Sequence, residues 1–167
     1  MKSMNIKRVS ILGMLVALAM ILSFVETLIP IVFLPGMKLG LANLVVIVVL
    51  YLYGVQAAVI VSFVRIFLVA ATFGNMSTML YSIAGASLSL FSMILAKQAG
   101  AFSMTGVSIL GGITHNFGQI LFAAYVSKTS GLFSYFPLLC IAGVVSGFFI
   151  GLLGAMVIQR TRKVFTQ

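Results

Sequence analysis

His115, Gly118, Gln119 and Phe122 recur at i, i+3, i+4 and i+7, so on a helix they share one face. An imidazole and a carboxamide one turn apart can orient a ligand through hydrogen bonds, and the glycine beside them leaves room for its approach. Asn116 is offset by ~100° and can reach a neighbouring helix. Lys38 and Arg65 add positive charge, Asn43 and Asn75 add further amides, and Glu26 is the sole acid of the chain. Positive groups outnumber that carboxylate, which suits an anionic or electron-rich molecule.

Other chemistries lack their residues. No glycine-rich loop ends in Lys-Ser/Thr, so nucleotide hydrolysis by this chain is excluded. One Glu and no Asp cannot form the carboxylate cluster that holds magnesium. One His, one Cys and one Glu are thin material for zinc. No Ser-His-acid arrangement is readable. The chain is expected not to be an enzyme and to need no cofactor. Lys and Arg form no long arm or stripe, so the net charge of +9 does not indicate nucleic acid. Cys140 is alone, reads as a small apolar filler and leaves the redox compartment open.

The elements that must position these groups are membrane helices. Mean hydropathy is +1.28 and 7% of residues are charged, against about 25% in ordinary soluble domains. A spanning helix takes ~20 apolar residues. The apolar runs predict an all-α integral membrane protein, one membrane domain over 1–167. Six transmembrane helices are expected, at about 9–29, 39–53, 55–73, 77–96, 105–126 and 136–158. The second is short for a span. Six spans put both termini on one side. Lys2, Lys7, Arg8, Lys97, Arg160, Arg162 and Lys163 fall on that side, and only Lys38 and Lys128 on the other. The positive-inside rule then places both termini in the cytoplasm of a plasma-membrane protein.

Helical rise fixes the depth of the polar groups. Glu26 falls roughly 25 Å beyond Val9, near the outer face. Arg65 and His115 each lie about ten residues into their helices, near mid-membrane. Asn43, Asn75 and Gln119 lie further out, and the cytoplasmic half is apolar apart from its flanking bases. This pattern predicts a polar cavity open to the exterior. Two readings of Arg65 stand side by side. It forms a structural ion pair with Glu26, or it receives an anionic ligand together with Lys38. His115 and Gln119 likewise either orient a ligand or only bond other helices, as interhelical glue does.

Small residues at four-residue spacing make smooth helix faces. Gly143, Gly147, Gly151 and Ala155 form one such face on the sixth helix, and Gly13 and Ala17 a shorter one on the first. Packing within the chain is the default for both, and a partner protein is the alternative.

The stretches G-M-L-V-A-L-A-M, F-V-E-T-L-I-P, P-G-M-K-L-G-L-A-N-L-V and H-N-F-G-Q together resemble the Gx transporter family, labelled heptaprenyl diphosphate synthase component I. That family is similar to the substrate-binding S components of energy-coupling factor transporters. The resemblance implies an S-component-like six-helix bundle that captures a vitamin or similar small molecule from outside. It also implies a membrane coupling subunit and two cytoplasmic ATPases as partners, with Gly13 and Ala17 at the coupling-subunit contact. The loop from Pro30 to Lys38 would help to close the site. The expected function is therefore an importer subunit that binds a small anionic or aromatic molecule, such as a vitamin or a quinone or isoprenoid precursor. The alternative is a non-catalytic membrane subunit of a heptaprenyl diphosphate synthase. Synthesis by the chain itself conflicts with its lack of any Asp.

Overall fold

The computed structural model describes residues 6–28 and 40–165, with side-chain surroundings described as far as residue 161. The expected positions of Lys38 and of the loop from Pro30 to Lys38 fall outside the described residues. The described chain is all-α: α1 (Ile6–Leu28), α2 (Asn43–Leu52), α3 (Val55–Thr72), α4 (Met76–Ala99), α5 (Met104–Ser127) and α6 (Phe136–Phe165), with a 3-10 turn at Ser130–Tyr135. All of these helices except α2 are long and apolar enough to cross a membrane.

The helices pack in the spatial order α1, α3, α4, α5, α6, α2 and back to α1, a closed circuit. On α1 the buried residues are Leu12, Val16, Ala19, Ser23 and Glu26, which alternate steps of four and three along one stripe. The other faces expose Met14, Leu18, Ile21 and Phe24, as lipid contact requires. The stripe is apolar over its first three members and polar over its last two. Leu12, Val16, Val46, Leu50, Ala57, Val61, Met93 and Val107 belong to one apolar cluster. Ser23, Glu26, Arg65 and His115 are equally buried, and Ser62, Ser89 and Ser108 place further buried hydroxyls in the bundle.

α2 differs most from expectation. It has ten residues rather than a run over 39–53. At ~1.5 Å per residue that is about 15 Å, half of a hydrocarbon core. Gly40, at φ +79°, and the turn that follows it set the late start: Asn43, Leu44 and Val45 donate to the carbonyls three residues back. Gly54, at φ +87°, separates α2 from α3. Its six consecutive residues Val45 to Leu50 are all buried, so α2 is an apolar rod held inside the bundle.

α5 is the most closely gripped of the long helices. A Cβ added at Gly147 of α6 would lie 2.7 Å from the Ile109 Cα of α5, and one at Gly151 would lie 2.6 Å from the Thr105 Cα. The glycine face of α6 is therefore occupied within the chain, by the backbone of α5. On its opposite side Gly118 of α5 meets the Ala84 carbonyl of α4, where an added Cβ would sit 2.6 Å from the oxygen. Small residues let these backbones approach where no hydrophobic force separates protein from lipid.

Candidate functional site

α1 and α3 build the first part of the site. Arg65 of α3 is buried, with 7% of its surface exposed, and its Nη1 donates to the Ser23 hydroxyl of α1 at 3.4 Å. Its Nε has no hydrogen-bond partner among the described residues. A guanidinium carries five N–H donors, and among the described residues the hydrogen bonding of this one is a single long bond, with the Nε donor unused. Phe24 and Phe73 brace the same helices edge to face, with ring centroids 5.3 Å apart.

Arg65 opens on a small cavity lined by the polar residues Ser23, Asn43, Thr78, Ser82 and His115 and by the apolar Ile66, Val69, Ala70 and Met79. Positive charge, hydroxyls, an amide and an imidazole thus converge from five helices. The cavity volume is about 20 Å³, which is room for a water. A larger molecule needs the surrounding helices to part.

Glu26 has a clear structural task. Its Oε1 accepts the backbone N–H of Gly40 and, at 3.1 Å, that of Leu41. These N–H groups belong to the turn that starts α2, where a carboxylate also meets the positive end of the helix dipole. Basic side chains serve the other end of α2. Lys97 donates to the Leu50 carbonyl at 2.6 Å and lies 4.8 Å from the centre of the Tyr51 ring, while Arg8 donates to the Tyr53 carbonyl at 2.9 Å. The short helix is thus bracketed by opposite charges that match its dipole. Glu26 also attracts the Arg65 guanidinium electrostatically. The described hydrogen bond of Arg65 nevertheless goes to Ser23.

The amides divide between the cavity and the scaffold. Asn43 lines the Arg65 cavity and also a second pocket with Ser89, Ser108 and Ser146. Ser89 Oγ is buried there without a hydrogen-bond partner among the described residues. Asn116 donates from Nδ2 to the Leu139 carbonyl at 2.9 Å and so ties α5 to α6. Gln119 packs with His115 against Gly85 of α4, where an added Cβ would lie 2.9 Å from the Gln119 Cγ and from the His115 Cε1. Asn75 caps α4: its Oδ1 accepts the Thr78 N–H at 2.9 Å while Thr78 Oγ1 accepts the Asn75 N–H at 3.0 Å.

Sequence reasoning missed Ser23, Thr78, Ser82 and Gly85. Helical spacing was the available signal. Ser23 lies three residues before Glu26, and Thr78 and Ser82 are four apart, so each pair shares a face. Among the described residues no group of three or more His, Cys, Asp or Glu side chains could hold a metal ion.

A family model described as heptaprenyl diphosphate synthase component I matches residues 15–157. The chain belongs to the heptaprenyl diphosphate synthase component I family. No curated protein and no solved structure matches it. Both clusters of this component I chain, the Arg65 cavity and the bracket around α2, are built within the matched segment except for Arg8. Gly13 and Ala17 are exposed on α1, and a Cβ added at Gly13 would meet nothing within 4 Å. Unlike the glycine face of α6, this patch is not used by the described packing.

Proposed function

We propose that the chain is the substrate-binding membrane subunit of an importer of the energy-coupling factor type, taking a small anionic or aromatic molecule. The observation that carries this reading is Arg65. A buried guanidinium is costly at membrane depth and is held there for a purpose. Its one described hydrogen bond is long, and it faces a cavity of hydroxyl, amide and imidazole groups. Glu26 is engaged with the start of α2, so the charge available to a ligand is positive.

In this reading Arg65 and Lys38 supply charge, and Asn43 and His115 orient the ligand. Asn116 and Asn75 hold the helices that frame the cavity, and Gln119 supports His115. The termini lie in the cytoplasm of the plasma membrane, and Gly13 and Ala17 receive a coupling subunit that links the chain to cytoplasmic ATPases. The chain performs no catalysis and needs no cofactor. The exposed, smooth patch at Gly13 supports the docking role.

The family description favours a second reading, a membrane subunit that partners a prenyl diphosphate synthase. Affinity capture of the tagged full chain from solubilised membranes separates the two. Recovery of a membrane coupling subunit with an ATPase pair supports import. Recovery of a soluble prenyl synthase instead overturns it.

A further inference from the structure

The geometry points to an anionic phospholipid site at the end of the bundle where α1 begins and α2 ends. An open, shallow depression is lined there by Lys7, Arg8, Ile11, Leu52 and Tyr53. Two adjacent cations stand at its polar edge. Arg8 is tethered by one N–H to the Tyr53 carbonyl, which fixes the guanidinium and leaves its other donors for an acceptor. Lys7 is exposed and makes no hydrogen bond or ion pair among the described residues. The Tyr53 ring supplies an amphipathic side chain of the kind enriched at membrane interfaces.

The apolar wall gives the occupant its class. Ile11 continues along α1 into Met14 and Leu18, at i+3 and i+7, which are 73% and 46% exposed. A cationic rim above an exposed apolar track matches a phosphate headgroup with an acyl chain below it. A free phosphate would use only the rim. Basic pockets between membrane helices on the cytoplasmic side bind anionic headgroups in this way. The site is remote from the Arg65 cavity, shares no lining residue with it and does not depend on the import reading.

The test is native mass spectrometry of the full chain titrated with phosphatidylglycerol, phosphatidylcholine or inorganic phosphate. Phosphatidylglycerol is expected to bind at least tenfold more tightly than phosphatidylcholine. Lys7→Gln is expected to weaken it roughly fivefold, and Lys7→Gln with Arg8→Gln about thirtyfold. Arg8 also holds the end of α2, so Lys7→Gln carries the test if the double variant fails to fold. Equal binding of the two lipids, unchanged binding in Lys7→Gln, or saturation of the site by inorganic phosphate at the same concentration overturns the proposal.

Discussion

Arg65 on α3 and Ser23 on α1 meet at 3.4 Å, one helical turn from Glu26 along the same buried stripe. The sole carboxylate of the chain is therefore beside the buried arginine, yet its described hydrogen bonds go to the backbone at the start of α2. One charge secures the scaffold, and the other faces the cavity.

Glu26 is expected to matter for folding. Glu26→Ala leaves the Gly40 and Leu41 N–H groups without their acceptor and should destabilise the protein by about 3 kcal/mol. Glu26→Gln keeps an acceptor oxygen but loses the charge at the helix terminus, at a cost of roughly 1–2 kcal/mol. Thermal unfolding in detergent should rank the proteins wild type, Gln, Ala. Equal melting of all three would contradict the bracket around α2.

Asn75 separates capping from ligand binding. Loss of its capping box in Asn75→Ala should cost about 1 kcal/mol. Retention of any bound molecule should be unchanged when measured well below the melting transition. Loss of that molecule with unaltered melting would make Asn75 a ligand residue instead.

The two small-residue faces should respond oppositely. Gly147→Leu forces a side chain into the α5 backbone and should cost about 1–3 kcal/mol or prevent assembly of the bundle. Gly13→Leu meets open space, so its melting should match wild type. Capture of the coupling subunit should be lost in Gly13→Leu. Retained capture would remove the docking role of α1.

Gly85 tests the support of His115. In Gly85→Ala the added methyl falls 2.9 Å from both His115 and Gln119, so the imidazole must shift. Ligand affinity should fall severalfold, and His115→Ala in the same background should add little more. Full additivity of the two changes would show that they act separately.

Periodicity and composition reveal the long helices because each is long and apolar enough to cross a membrane and repeats its apolar pattern over many turns. The expected start of α3 at residue 55 coincides with the observed start. α2 was harder to delimit. Its residues are apolar all round, so no periodic signal marks where helix begins, and the boundary is set by the backbone at Gly40. The convergence of Asn43, Arg65 and His115 on one cavity was legible from residue depth. Partners were not. Arg8 and Lys97 read as topology signals, although both also bond carbonyls at the end of α2, because only the tertiary fold brings them together. The glycine pattern on α6 announced close packing but not that α5 would fill it.

The central claim is that Arg65 receives an anionic ligand, and it is tested most directly by native mass spectrometry of gently purified wild type and Arg65→Gln. Wild type should retain a small acidic molecule, and Arg65→Gln should bind it at least about tenfold more weakly while melting as a folded protein. A ligand-free wild-type spectrum, or equal retention by the two proteins, would contradict the account.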